Sequence, residues 1–490
     1  MEGKKAATIL PSTGGAGGGL NEFGVPCNYS NSITMGKHLS RRKMLSQLGL
    51  AAGAALPLSS WISANEAIPI PTVENFLPQA PEKPVTAITL GAGNRGNVYG
   101  NYASAYPHHL QIVGVAEPIA ARNEKYAQQH SIPAQNRFKT WEDVFKRPKL
   151  ADAVIISTPD RLHYGPCMQA LKMGYDVLLE KPISPSEQEC REILEFTKKS
   201  GRIVAVCHVL RYAPYFIKLR DLVQSGAIGE VISFDHFEPI EHVHMSHSYV
   251  RGNWHNSKTT TPIILAKSCH DMDILRWIIN KPSRSISTFG NLKWFKKENA
   301  PEGSTDRCMH GCAVENTCPY SALKIYHRDH QRLYVFDLPE EPKKRDAAIL
   351  EYLRTTDYGR CVYRMDNDQP DHYISNILFD TDVTASFSME AFTSYAGRRT
   401  RVMGSMGDIV GDMSSFTLTD FRTGVKTGWA LDTDHHGGGD WRLMANFIQA
   451  VSKKDAGLLT STIDVSIESH VMCFMSEKSR LEKKVADVVM

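Results

Sequence analysis

The sequence predicts an α/β fold in which a doubly wound parallel sheet comes first and a second domain of strands and helices follows. One observation is an apolar strand, Val85–Leu90, that runs directly into the glycine pattern Gly91-Ala92-Gly93-Asn94-Arg95-Gly96. Another is the steady alternation of strand and helix patterns over residues 85–206, which is typical of such a sheet. Beyond residue 207 the strands alternate apolar and polar residues, as in Val231–Phe237, which indicates a separate domain.

The individual elements follow from the same patterns, taken in chain order. In the first domain we expect strands over residues 85–90, 111–116, 135–138, 152–157, 176–179 and 202–207, and helices over 97–106, 119–130, 141–146, 161–173 and 186–199. In the second domain we expect strands over 231–237, 362–364, 373–379 and 383–389, a strand-turn-strand over 398–411, a helix over 271–279 and a surface helix over 466–484.

Length and charge restrict the class of protein. A chain of 490 residues is long for one domain and suggests two domains with a tail. It has 56 Lys and Arg against 53 Asp and Glu and no long basic run, so we do not expect nucleic acid as a partner. Its 10 cysteines are too dilute for a disulfide scaffold.

Residues 1–67 have the pattern of a leader. After a stretch rich in Gly, Ser, Thr and Asn, which predicts disorder, comes Ser40-Arg41-Arg42-Lys43-Met44-Leu45, then a short apolar run and small residues near Ala64 and Ala67. This is the order of a twin-arginine signal peptide, although a chance Arg-Arg pair before an amphipathic helix is the alternative. We therefore expect a periplasmic protein without membrane contact after cleavage, and an extended linker over 68–84.

The glycine pattern is interpreted as a dinucleotide-binding turn. Gly91 permits a sharp turn, Gly93 removes the side chain that would keep a pyrophosphate away from the backbone, and Gly96 lets the next helix pack closely. The N–H groups at the start of that helix, including those of Asn94 and Arg95, then face the ligand.

Glu117, at the end of the second strand, predicts NAD as the favoured cofactor over NADP. A carboxylate at this position accepts hydrogen bonds from the ribose hydroxyls, whereas a 2′-phosphate would meet like charge at a cost of about 4 kcal/mol for an effective dielectric near 20. Arg122 follows closely and would soften this preference.

Further candidate residues follow the later strands of the first domain. Ligands of a doubly wound sheet bind beyond the carboxyl ends of its strands. The candidates for the cofactor side are therefore Thr158, His163, Glu180, Lys181 and His208.

In this order the motifs resemble the glucose-fructose oxidoreductase and inositol dehydrogenase family, also known as Gfo/Idh/MocA. They are the glycine pattern, Glu117, Thr-Pro-x-x-x-His, Glu-Lys-Pro and His-x-x-Asp, and the resemblance covers Thr86 to Arg480. It implies a Rossmann domain over 85–206 and a substrate domain over 207–490, whose open, mostly antiparallel sheet carries a sugar, an inositol or a related polyol. We also expect a homo-oligomer.

Lys181 and His270 are the expected catalytic residues. The family uses the lysine that matches Lys181 to stabilise a developing alkoxide, and His270 matches the family histidine, which can take the hydroxyl proton at neutral pH. Family dehydrogenases often have an aspartate where this chain has Ala266. Because Lys267 and His270 share a face if the segment is helical, we expect a more cationic site with Lys267 as a substrate contact.

The loop over residues 238–255 contains several histidines and aromatic residues. A metal site would need two or three of the histidines to converge, and no His-x-x-x-His helix is visible. We therefore favour a sugar-contact loop, with Arg251 and Trp254 as the contacts, and name no metal ligand. The polar stretches 366–372 and 435–440 are expected either beside the pocket or as ordinary turns.

Cys308, Cys312 and Cys318 form a C-x₃-C-x₅-C pattern in a loop that contains Gly and Pro. This spacing differs from the C-x₂-C pairs of common zinc sites. A metal site with Cys361 or His327 as the fourth ligand, a disulfide and free thiols remain as alternatives.

The expected function is an NAD-dependent oxidoreductase for a sugar, a sugar derivative or a polyol. An NAD-dependent glycoside hydrolase or lyase, which oxidises the sugar transiently and eliminates, is the alternative. Lys181 and His270 argue against a third possibility, a non-catalytic NAD-binding sensor. Because the periplasm offers no obvious NAD pool, we expect a tightly bound cofactor and a redox-neutral cycle.

Overall fold

The structure, a computed structural model, describes residues 67–70, 79–431 and 438–490. The predicted twin-arginine leader, with Arg41 and Arg42, lies outside the described residues, as do residues 435–437 of one polar stretch. No helix in the described ranges is long and apolar enough to cross a membrane.

Two sheets organise the described residues. In chain order, their strands are β1 Ile68–Ile70, β2 Val85–Leu90, β3 Leu110–Ala116, β4 Arg137–Phe138, β5 Ala153–Ile156, β6 Asp176–Leu179, β7 Val204–Val206, β8 Val231–Pro239, β9 Ser283–Asn291, β10 His372–Phe379, β11 Thr384–Glu390, β12 Arg399–Gly404, β13 Gly407–Gly411, β14 Ser415–Asp420, β15 Lys426–Leu431 and β16 Ala486–Asp487.

The α-helices cover the faces of these sheets. They are α1 Asn94–Ala105, α2 Ala120–Gln129, α3 Trp141–Phe145, α4 Tyr164–Lys172, α5 Glu187–Ser200, α6 Pro214–Gln224, α7 His242–Met245, α8 Ile263–Ala266, α9 Cys269–Ile279, α10 Pro342–Thr355, α11 Gly439–Lys453 and α12 Ile463–Glu482.

The first sheet has the strand order β4-β3-β2-β5-β6-β7, and all its strand pairs are parallel. Strand β5 is buried along its whole length, because helices cover both faces of a parallel sheet. The strand order reverses between β2 and β5, which opens a crevice beyond the carboxyl ends of the strands. The predicted doubly wound sheet is confirmed, and the predicted strand over 135–138 is shortened to β4.

The second sheet has the order β1-β15-β14-β13-β12-β8-β11-β10-β9-β16. It is mostly antiparallel, with parallel pairs between β1 and β15 and between β8 and β11. Alternate residues of β10 are buried, because one sheet face packs against helices, chiefly α12 on β9. The expected open, mostly antiparallel sheet is therefore confirmed.

Three local predictions for the second domain and the linker differ from the structure. Residues 362–364 form a 3-10 turn, since the Arg364 N–H donates to the Cys361 carbonyl instead of joining a sheet. Helix α12 is buried over its first half, because polar residues such as Glu468 find buried partners, so the expectation of a surface helix was wrong. Ile68–Ile70 in the expected linker pairs with β15 as an edge strand.

Helix α11 returns from the second half of the chain to complete the first domain. Leu443 and Phe447 are fully buried and belong to the same apolar cluster as Tyr99 and Tyr102 of α1. After this helix, the Val206 N–H of β7 donates to the Ser461 carbonyl at 2.9 Å. The first domain is therefore closed by residues that lie far beyond the predicted border at 207.

Candidate active site

The glycine turn between β2 and α1 has the form that a bound pyrophosphate needs. Gly91 has a φ of +91°, and a Cβ there would lie 2.7 Å from the Ser157 carbonyl oxygen. At Gly96 a Cβ would lie 2.1 Å from the Gly91 carbonyl oxygen. At Gly93, by contrast, a Cβ would meet no atom of the described residues within 4 Å, although its φ of −76° suits any residue. Gly93 therefore borders open space, so no atom of the described residues prevents a pyrophosphate from approaching its backbone.

Glu117 lies directly against this turn. Its carboxylate accepts one hydrogen bond from the Ala92 N–H and one from the Ile119 N–H, both at 2.9 Å, and the residue is 6% exposed. An ionised carboxylate has about four acceptor positions, so two remain for ribose hydroxyls. Arg122 is paired with Asp337 at 3.0 Å, which engages it away from a 2′-phosphate.

Arg95 directs its side chain towards the end of β6. Its guanidinium contacts the Glu180 carboxylate at 2.5 Å and Asp440, in the first turn of α11, at 2.6 Å. Burial by itself raises the pKa of Glu180, but the charges on Arg95 and Lys181 outweigh it and lower the pKa below its ordinary value. Glu180 is thus ionised and holds the Arg95 side chain, and its carboxylate also accepts a hydrogen bond from the Lys181 N–H at 2.9 Å. The exposed Asn94 begins α1 beside Arg95.

Thr158 and His163 shape the turn that follows β5. The Thr158 hydroxyl donates to the Leu162 carbonyl at 2.9 Å. The ring nitrogens of the buried His163 lie 2.7 Å from the Pro182 carbonyl oxygen and 2.8 Å from that of Thr158. His163 therefore connects the turn after β5 with the turn that carries Lys181.

Lys181 reaches across from the first domain to the second. Its Nζ donates to the carbonyl of Ala266, the last residue of α8, at 2.8 Å. Lys267 follows Ala266 directly, and His270 lies in the first turn of α9. Lys181, Lys267 and His270 are thereby brought together beyond the carboxyl end of β6.

The imidazole of His270 is held neutral at this place. Burial lowers its pKa well below the ordinary value, and the nearby positive charges, that of Lys181 first among them, lower it further. Its Nδ1 is buried and has no hydrogen-bond partner among the described residues. A neutral imidazole can accept a proton.

The carboxylate partners of the site are residues to which the sequence analysis gave no role. Glu238 of β8 pairs with Lys267 at 2.9 Å and with Arg398 at 2.9 Å. Asp271 of α9 pairs with Arg398 at 2.6 Å and contacts the His236 Nε2 at 3.0 Å. These two carboxylates pair with Lys267 and Arg398, whereas Lys181 adds a further positive charge near His270. The more cationic site stays a prediction.

A column of buried histidines supports His270 from behind. The His208 ring lies 5.8 Å from the ring of His270 and 5.4 Å from that of His470. His208 is fully buried, so it contacts His270 rather than the cofactor crevice. His470 accepts from the Ile183 N–H at 2.9 Å and so holds the turn that contains Lys181. No sequence signal pointed to His470, because it lies within α12 and in no recognised motif.

The loop over residues 238–255 contributes differently from what was expected. Burial is the main cause that lowers the pKa of His244, and the positive charge of Lys267 is the second. His244 therefore lies near Lys267, beside the site. Trp254 donates to the Asp160 carboxylate at 2.9 Å. The buried Arg251 donates to the carbonyls of Arg360 and Tyr320, both at 2.7 Å, and these contacts give it a structural role instead of the expected sugar contact.

The polar stretches that were considered for the pocket border also have partners. Asp371 accepts from the Lys293 N–H at 3.0 Å and from the Trp294 N–H at 2.6 Å, which makes it part of a turn. Asp440 is the partner of Arg95 described above.

Comparison with protein families gives two matches that together cover most of the chain. The oxidoreductase family (GFO/IDH/MocA), NAD-binding Rossmann fold, matches residues 85–208. The C-terminal alpha/beta domain of the same oxidoreductase family matches residues 220–472.

Individual relatives are more distant. The Bacillus subtilis (strain 168) protein YteT is 25% identical over 61% of this chain and 70% of its own length. The inositol 2-dehydrogenase of Salmonella typhimurium (strain LT2) is 22% identical over 37% of this chain, which spans about half (50%) of that relative.

Solved structures share the fold over most of the chain. Levoglucosan dehydrogenase in complex with NADH and L-sorbose aligns with a TM-score of 0.62 at 14% identity, covering 83% of this chain and 100% of that one. The scyllo-inositol dehydrogenase from Lactobacillus casei aligns with a TM-score of 0.57 at 12% identity, covering 83% and 99%. With both domains matched, the chain belongs to the Gfo/Idh/MocA family of oxidoreductases, and its first domain is an NAD-binding Rossmann domain.

Proposed function

We propose that this protein is an NAD-dependent oxidoreductase that acts on a hydroxyl-bearing carbon of a sugar, a sugar derivative or a polyol. The observation that carries the proposal is the meeting of Lys181 with a neutral His270 beyond the carboxyl ends of the Rossmann strands. The open space at Gly93 and the carboxylate of Glu117 fit a dinucleotide on the same side of the sheet. When bound, NAD supplies the hydride acceptor.

The residues of the chain then have distinct roles. The Lys181 ammonium, held in place by the Ala266 carbonyl, donates a hydrogen bond to the reacting hydroxyl oxygen and stabilises the developing alkoxide. His270 accepts the hydroxyl proton, since a neutral imidazole has a nitrogen that can take it. Lys267, held by Glu238, and His244 supply further polar contacts for the substrate.

The substrate class is supported by the names of relatives. Inositol 2-dehydrogenase and levoglucosan dehydrogenase act, by their names, on an inositol and on an anhydrosugar. These relatives are named as dehydrogenases, so they give no support to the glycoside hydrolase alternative.

Glu117 supports NAD over NADP. Even a third of the repulsion expected for a 2′-phosphate would weaken NADP binding about tenfold. The pairing of Arg122 with Asp337 removes the nearest counter-charge.

Export and assembly complete the proposal. A folded protein exported by the twin-arginine route brings its dinucleotide with it, so we extend the proposal to a periplasmic enzyme that retains its cofactor and runs a redox-neutral cycle. A homo-oligomer stays a prediction. The second sheet exposes Ile232, Phe289 and Ile374, a surface available for assembly, and the mass of the purified protein in solution tests it.

The catalytic assignment is tested with alanine variants of Lys181 and His270. Positioned acid–base groups contribute about 10² to 10⁴ in rate, so each variant should lose at least the smaller factor in turnover on an active sugar or polyol, measured by mass spectrometry of the product. Bound dinucleotide should be unchanged. As controls, the exposed Lys172→Ala and His330→Ala should keep full activity. A loss below about tenfold for His270→Ala would move the base elsewhere, with Lys267 as the next candidate.

A further inference from the structure

The three cysteines of the C-x₃-C-x₅-C loop and the distant Cys361 line one cavity. Cys308, Cys312, Cys318 and Cys361 border one small cavity together with Arg251 and Tyr320. All four have free thiols in the structure, so none of them forms a disulfide. His327, the other candidate for a fourth ligand, does not line this cavity.

One side of the cavity carries a buried positive charge, whereas Glu315, which also lines the cavity, is paired with Arg328 at 2.7 Å. Arg251 is 2% exposed, and its Nη2 lies 3.9 Å from the Cys308 Sγ. Its Nη1 is also buried and has no hydrogen-bond partner among the described residues. The Ala322 N–H donates to the same Cys308 Sγ at 3.4 Å. A buried guanidinium N–H without an acceptor is costly, and thiolates bound to a metal centre would supply the missing negative charge.

The arrangement suits a cluster better than a single ion. Within the described ranges, no three His, Cys, Asp or Glu side chains converge closely enough to hold a metal ion. A structural zinc ion would need four ligands converging at about 2.3 Å from one point. Here the four sulfurs stand around a cavity instead, as the cysteines of an iron–sulfur cluster do.

We propose that Cys308, Cys312, Cys318 and Cys361 ligate a [4Fe–4S] cluster. Three ligands come from one loop and the fourth from a segment beyond α10, so the cluster ties together the long connection between β9 and β10. Arg251, which already binds the Arg360 and Tyr320 carbonyls, links the cluster to the segment that carries His244. The cluster thus has a structural role, and it fixes a wall of the candidate active site.

The test uses the whole chain purified without oxygen and, if empty, reconstituted with ferrous iron and sulfide. We expect about four iron and about four acid-labile sulfide per chain, and a broad visible absorption that dithionite bleaches. Zinc in place of iron would overturn the cluster. Protein that takes up no metal even after reconstitution would overturn the site.

Cysteine variants locate the cluster. Cys312→Ser and Cys361→Ser should each lose most of the iron and the visible absorption, because each removes a ligand. Cys167→Ser, a buried cysteine of the first domain, is the matched control and should retain both. Full iron content in both cavity variants would place the iron elsewhere. If a variant does not fold, the iron and sulfide content of the unaltered chain decides.

Discussion

At the scale of single residues, the glycines of the turn after β2 have different physical tasks. Gly91 and Gly96 are required by the fold itself, because a Cβ at either position would overlap a backbone carbonyl of the protein. Gly93 has no such constraint in its surroundings. Its lack of a side chain is explained by the approach of a pyrophosphate to the backbone.

A substitution at Gly93 should therefore separate cofactor binding from folding. Gly93→Val should remove bound dinucleotide and leave the far-ultraviolet circular dichroism unchanged, because its side chain occupies ligand space only. Gly96→Ala should instead impair folding, since its Cβ would lie 2.1 Å from the Gly91 carbonyl oxygen. The measurement is dinucleotide released on denaturation, and full occupancy in Gly93→Val would refute the assignment.

At the scale of elements, two helices have positions that decide how the site is built. Helix α11 places Asp440 against Arg95 and packs its apolar face on α1. Helix α12 brings His470 to the Ile183 N–H, next to Lys181. Both helices thus stabilise the cofactor side of the first domain from far along the chain.

Truncation of Phe447 tests the role of α11. The side chain is fully buried, so Phe447→Ala should lower the free energy of unfolding by about 3 to 5 kcal/mol in chemical denaturation and weaken dinucleotide binding. Phe421→Ala, at a site that is 58% exposed, is the matched control and should cost little. A loss below about 1 kcal/mol for Phe447→Ala would mean that α11 does not close this core.

His470 makes stability depend on pH. Its pKa is lowered to about 3 from an ordinary value of 6.5. Burial is the main cause, and the electrostatic effect of His208 is the second. The unfolded chain therefore binds a proton that the folded chain does not, and the free energy of unfolding should fall as the pH drops from 6.5 towards about 3. One such histidine contributes about 1.4 kcal/mol per pH unit.

Chemical denaturation at about pH 7.5 and about pH 5.5 measures this fall. His470→Gln should reduce the difference between the two pH values, because the amide still accepts from the Ile183 N–H and does not titrate. The exposed His330→Gln is the control and should leave it unchanged. An unaltered difference in His470→Gln would show that His470 titrates normally.

At the scale of the whole molecule, the two domains are joined by the candidate active site and by the returning helices. Lys181 of the first domain binds the Ala266 carbonyl of the second. Because α11 and Ser461 also contact the first domain, the crevice is bordered by chain segments that pack against each other in several places. Retention of the cofactor between turnovers stays a prediction.

Cofactor retention and the proposed export can be tested together. We expect protein isolated from a periplasmic extract to release stoichiometric NAD or NADH, and not NADP, on denaturation, and to turn over substrate without added cofactor. Retention follows from the proposed export in the folded state into a compartment without an NAD pool. An empty protein that needs stoichiometric soluble NAD would contradict the proposal and leave an ordinary dehydrogenase.

The sequence by itself determined the Rossmann domain, its NAD cofactor and the edge of the sheet at which Thr158 and Lys181 lie. These features can be read from short continuous stretches of sequence. The periodicity of each stretch identifies the strands, and their common direction places all their carboxyl ends at one edge of the sheet. The buried half of α12 escaped this reasoning, because its polar residues resemble those of an exposed helix until their partners are known.

Only the tertiary structure decided which residues complete the site. Glu238 pairs with Lys267, His470 supports the turn of Lys181, and Cys361 joins the other cysteines. Each of these contacts connects segments far apart in the chain, and no local periodicity encodes such a pairing. The tertiary structure also assigned α11 to the first domain. The apolar face of a helix indicates that the helix packs on a core, but it does not indicate which of the two domains provides that core.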